Sequence, residues 1–107
     1  MRSNAAYVGS IDRTDRLQAM LGLSLLPAQA GKGYGTECVK LLLDFCFKIR
    51  GFHRVGLDTQ SDNFAMQKVA EKFMQPEGRT RQAFFHNGRW NDSLHYGILA
   101  SEWVDRH

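Results

Sequence analysis

Three glycines, Gly31, Gly33 and Gly35, interrupt the chain within the stretch AGKGYGTECVKLLLDFCF, residues 30–47. A glycine inside a helix or strand costs about 0.5–1 kcal/mol relative to alanine, so neither interior accepts three so close together. The stretch is therefore a loop, and what flanks it defines a unit. Upstream, Leu17 to Leu26 reads as a strand, with Ala19, Leu21, Leu23 and Leu25 on one face. Met20, Gly22 and Leu26 make its other face partly apolar, which predicts a central strand buried on both sides, ended by Pro27. Downstream, Tyr34, Cys38, Leu41, Leu42, Phe45, Cys46 and Ile49 recur at steps of three and four and predict the inner face of an amphipathic helix. Glu37 suits the positive end of that helix, and Gly51 is placed to cap the other.

The remaining elements follow from similar signals. Tyr7 to Ile11 predicts a short strand, and Asp12 to Arg16 a polar turn. Val55 and Leu57 alternate in a strand over Phe52 to Thr59, and Ser61, Asp62 and Asn63 are capping residues. Ala65 to Phe73 predicts a second helix, with Met66, Val69, Ala70 and Phe73 inward. Glu77 to Phe85 and Arg89 to Leu99 are strands joined through His86-Asn87-Gly88, a strong hairpin signal. Ser101 to Asp105 predicts a terminal turn. The order is strand, strand, helix, strand, helix, hairpin. Two crossovers in so short a chain imply an α/β fold with a mixed sheet of about five strands, two main helices and a C-terminal hairpin.

The length of 107 residues predicts a single domain, and 43% hydrophobic with 23% charged residues is ordinary globular composition. The net charge of +3 and pI near 9.1 suit an anionic ligand without committing the chain to nucleic acid. Cys38 and Cys46, eight apart on one helix, predict no disulfide and no metal pattern, and so a reduced, cytoplasmic setting. The stretch LGLSLLPAQA imitates a signal peptide's apolar core and cleavage site, but the charges of Asp12, Arg13, Asp15 and Arg16 precede it, so a buried strand is expected. Nothing in the chain approaches the ~20 apolar residues of a membrane span.

A strand, a bare loop and a helix start make an anion site. The first helical N–H groups lack partners, the dipole favours negative charge, and glycine lets backbone approach the anion. The loop is no Walker loop, because no Gly-Lys-Ser/Thr ends it, and its glycine spacing is wrong for a dinucleotide fingerprint. The segment LSLLPAQAGKGYGTE resembles instead the coenzyme A loop of the GNAT acetyltransferases, with its Gln/Arg-x-x-Gly-x-Gly/Ala pattern. GFHRVGLDTQSDNFAMQKVAEKF looks like the strand and helix that follow in that family. EGRTRQAFFHNGRWNDSLHYGILASEW is similar to the hairpin of the branch containing the ribosomal-protein alanine and serine N-acetyltransferases. The resemblance runs from about Tyr7 to Trp103.

This resemblance implies acetyl-CoA as co-substrate and direct acetyl transfer to an amine, either a protein N-terminus or a small molecule. The amides of Gly31, Lys32, Gly33, Tyr34, Gly35 and Thr36 would hold the pyrophosphate, Leu23 and Leu25 would offer backbone groups to pantetheine, and Asn63 would hydrogen-bond the pantetheine arm. Three departures stand out. Gln29 sits one residue before the Gln/Arg position of the loop pattern, which falls on Ala30. Ala70 occupies the place where many members carry a tyrosine acid for the leaving thiolate. Lys72-Phe73-Met74-Gln75 replaces the family's Lys-x-Gly-Phe, predicting an altered helix-to-strand connection.

The family also begins with a strand, two helices and another strand that wall the acceptor site. This chain matches from about the family's third strand, so mainly the coenzyme half is expected. That predicts a homodimer, because the Tyr7 to Ile11 edge would lie open and apolar surface around Leu21 to Leu26 would be uncovered. The alternative is a non-catalytic coenzyme-binding or dimerisation module.

Catalytic residues are not legible. No glutamate lies on the Leu17 to Leu26 strand, where many members keep a base, so proton removal by water or by a partner chain is expected. Asp92 and Glu102 are weaker base candidates, Asp92 being the natural partner of Arg81 or Arg89 across the hairpin. His53, His86, His95 and His107 are scattered, without the spacing of a metal site, and read as surface or structural. Arg79, Arg81 and Arg89 with Phe84, Phe85 and Trp90 read as a solvated hairpin face rather than a nucleic-acid surface. Cys38 reads as core packing rather than an activated thiol.

Overall fold

The computed structural model describes residues 7–15, 17–25 and 34–106. Five strands and three helices follow one another: β1 (Tyr7–Asp15), β2 (Gln18–Leu25), α1 (Tyr34–Asp44), β3 (Arg54–Gln60), α2 (Phe64–Phe73), β4 (Gln75–His86), β5 (Arg89–Leu99) and α3 (Ala100–Arg106). The strands form one mixed sheet in the order β1-β2-β3-β5-β4. Only β2 and β3 are parallel, joined by the crossover through α1, and the other neighbours are antiparallel. The α/β fold, the five-strand mixed sheet and the C-terminal hairpin are those expected from sequence.

Four local features differ from that expectation. The polar segment from Asp12 to Asp15 is not a turn but the second half of β1, paired with β2 up to an irregularity between Arg13 and Asp15. Among the described residues β1 is an edge strand, where charged sequence is common. Ser101 to Asp105 is part of a helix, α3, which seats Trp103 in the core. The helix α1 does not run regularly to Ile49. It passes into a π-helical turn, Phe45–Ile49, closed by Arg50 N–H donating to Phe45 C=O at 3.0 Å, before Gly51 turns the chain at φ +68°.

The fourth difference is the face that α1 buries. Cys38, Val39, Leu43 and Cys46 are buried, whereas Leu41, Phe45 and Ile49 are exposed. Apolar residues occur nearly all around this helix, so periodicity admitted two stripes, and contact with the sheet selects the one through Val39 and Leu43.

The core lies on one face of the sheet. Ala19, Leu21, Val55, Leu57, Tyr96 and Ile98 meet Val39, Leu43, Cys46, Met66, Ala70 and Trp103. Trp103 is completely buried between the rings of Phe47 and Phe73, with centroids 6.3 and 5.8 Å away, and its Nε1–H donates to Asp44 Oδ1 at 2.9 Å. Leu21 is 5% exposed, so the uncovered apolar surface expected around it does not exist at that position. The free edge of β1 does exist: among the described residues β1 has one strand neighbour, β2.

Candidate functional site: a fork between two parallel strands

Pairing between β2 and β3 covers Gln18 to Leu21 and Arg54 to Leu57 and then stops, although β2 continues to Leu25 and β3 to Gln60. Two parallel strands that start paired and then part make a fork. Leu17 C=O accepts from His53 N–H at 2.7 Å, so it points toward β3. Backbone groups alternate sides along an extended strand, and β2 keeps an unbroken register with β1 from Ala19 to Leu25. Ala19, Leu21, Leu23 and Leu25 therefore all turn their N–H and C=O toward β3. Beyond the fork, Leu23 and Leu25 find no strand there among the described residues. Such groups require a partner, and an extended ligand can supply it by lying in the fork like a short strand.

The first turn of α1 lies beside the end of α2. Gly35 is buried there. Lys72 Nζ donates to Thr36 Oγ1 at 3.1 Å, which adds a cation to the positive end of the helix. Of the residues expected to hold an anion, Tyr34, Gly35 and Thr36 begin α1, while Gly31, Lys32 and Gly33 lie outside the described residues, as do Gln29 and Ala30.

The far side of the fork is fixed by a hydrogen-bonded turn. Asn63 caps α2, its Oδ1 accepting from Met66 N–H at 3.1 Å, and its own N–H donates to Gln60 C=O at 3.0 Å. Gln67 Nε2 donates to Gln60 C=O and Ser61 C=O, at 3.1 and 3.0 Å. Ser61 Oγ accepts from Asp92 N–H at 2.9 Å, tying the turn to β5. Asn63 is exposed, and the cap uses its oxygen, so its side-chain amide nitrogen remains for a ligand. Gln67 has no sequence signal of its own. Its role follows only from the turn it closes.

The weaker candidates resolve differently. Asp92 does not pair with Arg81 or Arg89. Its carboxylate holds Arg79 at 2.9 Å and accepts from Gln82 N–H at 2.9 Å, pinning the bulge where Gln82 sits at φ +49°. The expected pairing assumed a regular ladder, and the bulge between Thr80 and Phe84 shifts which arginine it meets. Glu102 Oε1 accepts from Leu99 N–H at 2.9 Å at the start of α3, a structural duty. Cys38 and Cys46 are free and buried; burial raises both thiols, Cys46 to about 11, which is the opposite of activation. Ala70 is completely buried against the core, with no space for a larger ring. Met74 alone, in an extended conformation, connects α2 to β4. Phe84, Phe85 and Trp90 are exposed, Phe85 and Trp90 meeting edge to face at 5.5 Å. Among the described residues no three His, Cys, Asp or Glu side chains are grouped to hold a metal ion, and no helix is long and apolar enough to cross a membrane.

Two histidines that sequence reading set aside as scattered have carboxylate partners. His86 Nδ1 lies 3.1 Å from Asp62 Oδ2, and His95 Nδ1 lies 2.8 Å from Asp58 Oδ1. No sequence spacing announces either pair, because each joins two different elements.

Known proteins resemble this chain in sequence and fold. Residues 2–73 match the acetyltransferase (GNAT) domain family. An uncharacterized N-acetyltransferase of Bacillus subtilis, YnaD, is 30% identical over 84 residues, 78% of this chain and 49% of that protein. The spermidine N(1)-acetyltransferase of Vibrio cholerae is 30% identical over 83 residues, 77% of this chain and 48% of that protein. The dodecameric structure of spermidine N-acetyltransferase from Vibrio cholerae superposes with a TM-score of 0.83 at 25% identity, over 92% of this chain and 59% of that one. The chain spans about half the length of the curated relatives it matches. With the forked sheet and a family match over residues 2–73, the chain belongs to the GNAT acetyltransferase family.

Proposed function

We propose that this chain binds acetyl-CoA and serves acetyl transfer to an amine. The observation that carries the reading is the fork, which leaves the backbone of Leu23 and Leu25 aimed away from β1 and beyond the last residues paired with β3. Those residues would bond the pantetheine arm, with Asn63 on the opposite side, and the amides of Gly31, Lys32, Gly33, Tyr34, Gly35 and Thr36 would hold the pyrophosphate beside Lys72. Acetyl-CoA supplies an activated acyl group as a thioester. The chain supplies positioning and backbone N–H groups that stabilise charge developing on the carbonyl oxygen.

The acceptor is an amine. The names of the spermidine enzymes support a polyamine, and the likeness of the hairpin to the ribosomal-protein branch supports a protein N-terminus. We place the reaction in the cytoplasm and treat residues 1–107 as one domain, the coenzyme half of the family fold. A homodimer is the simplest assembly that covers the free edge of β1. The second reading, a coenzyme-binding module without catalysis, is favoured by one observation: the tyrosine position of the family is the buried Ala70.

Thermal unfolding with and without coenzyme A tests the donor site. At a hundredfold excess over Kd the ligand stabilises the fold by about 2.7 kcal/mol. Gly33→Val is expected to abolish this shift. Absence of any shift at millimolar coenzyme A refutes the function. A shift unaccompanied by acetyl transfer to spermidine or alaninamide selects the non-catalytic module.

A further inference from the structure

The sheet face opposite the helices carries a connected polar chain. Asp58 on β3 lies opposite His95 on β5, and Thr80 on β4 lies diagonally across from His95, two residues from its register partner Gly78. Asp58 Oδ1 is 2.8 Å from His95 Nδ1, and His95 Nε2 is 2.8 Å from Thr80 Oγ1. Both ring nitrogens are engaged, so the orientation of the imidazole is fixed between a carboxylate and a hydroxyl. Asp58 Oδ2 makes no hydrogen bond among the described residues, and the Asp58 side chain is 47% exposed.

The position of the chain matters more than its geometry alone. Leu57 is the last β3 residue paired with β2, so Asp58 is the first residue beyond the fork. Leu57 faces the helices and is buried, and by alternation Asp58 faces the other way. An acyl group lying in the fork thus has α1 and α2 on one side and the Asp58–His95 pair on the other.

We propose that the Asp58–His95 pair is the proton acceptor for the amine, a proposal that rests on the acetyl-transfer reading above. An ammonium group approaching from the open face meets the outward oxygen of Asp58. One N–H bond of the ammonium breaks and its proton passes to the pair, whose charge changes from −1 to 0. The freed nitrogen lone pair forms the new bond to the acyl carbon, and the acyl C–S bond breaks with its electron pair leaving on the coenzyme A sulfur. The second proton shed by the attached nitrogen passes to that thiolate, giving the amide and the free thiol. The proton belongs to the coupled pair rather than to one residue, and histidine is the side chain suited to exchanging it with water near neutral pH. His95, with its side chain 34% exposed, can release it. Thr80 orients the ring.

The groups facing the imidazole are Asp58 from β3 and Thr80 from β4. Farther along the same face Arg54 is paired with Glu77, which lies over Gly97, so these two charges satisfy each other. Asp62 is engaged with His86.

The test is the pH dependence of kcat/KM between pH 5.5 and 9.5 with acetyl-CoA and either spermidine or alaninamide, alongside the thermal shift by coenzyme A. Asp58→Asn and His95→Gln are expected to lower kcat/KM about 100-fold, with the coenzyme A shift unchanged. Thr80→Val is expected to cost less than tenfold. Wild-type rates and profiles in both variants overturn the proposal alone. So does a wild-type profile without an acid limb, which needs no variant, or a wild type that binds coenzyme A and turns over neither amine. A wild type that fails to bind coenzyme A removes the function and this proposal together.

Discussion

The two faces of the sheet are built from the same strands and differ in almost everything else. On one face Val55, Leu57, Tyr96 and Ile98 disappear under α1, α2 and α3. On the other, Arg54, Asp58, Glu77 and His95 are partly exposed and satisfied by one another. Alternation at every residue allows β3 and β5 to serve both faces at once. Apolar burial holds the fold from one side, leaving the other free to carry charge. The fork lies where the two demands meet, because β2 leaves β3 at Leu57, the last residue of β3 paired with it.

The largest effect should come from breaking the covered face. Trp103→Ala removes a completely buried ring and its bond to Asp44, and is expected to cost ~3–5 kcal/mol. Urea denaturation measures it. A loss below about 1 kcal/mol would mean that α3 is not part of the core.

An intermediate effect lies on the alkaline side. Burial pushes the Cys46 thiol up to about 11, against 9.0 for an exposed thiol. The folded-state value is the higher one, so the unfolded chain ionises first as pH rises. The stability linked to this group is complete below pH 9 and is lost as pH climbs toward 11. Cys46→Ala should flatten the slope of stability against pH in that window, whatever it does to the absolute value. An unchanged slope would show that the thiol stays accessible to water.

The smallest effect belongs to the open face. Arg54 holds the Glu77 carboxyl below the usual carboxylate range, chiefly through their hydrogen bond, burial opposing it. The contribution is present above the ordinary carboxylate range and fades as pH falls through the lowered value. Both side chains are about one-third exposed, so Glu77→Gln should cost less than about 1 kcal/mol at pH 7. A cost comparable with Trp103→Ala would erase the contrast between the faces. Denaturation curves at pH 7 and pH 3 measure it.

Element types were largely legible because their signals are local. Asn87 and Gly88 both adopt the positive φ that a tight two-residue hairpin needs, at 55° and 77°, and their sequence announced it. Asn63 announced the start of α2, and its side chain caps the helix. The stripe that α1 buries was not legible, because Leu41, Phe45 and Ile49 are as apolar as Val39 and Leu43. The partner of Asp92 was misread for a similar reason. The bulge that brings Arg79 to it forms between two strands.

What the sequence determined by itself, then, was the succession of strands and helices and the turn chemistry. Each of these depends on a residue's own backbone preferences or on neighbours a few positions away. What only the tertiary structure decided was the fork between β2 and β3 and the choice of buried helix face. It also decided the meeting of Asp58, His95 and Thr80, separated by 37 and 15 positions along the chain. Strand order and register bring those side chains together, and these are set by burying one common face of the sheet rather than by any local preference.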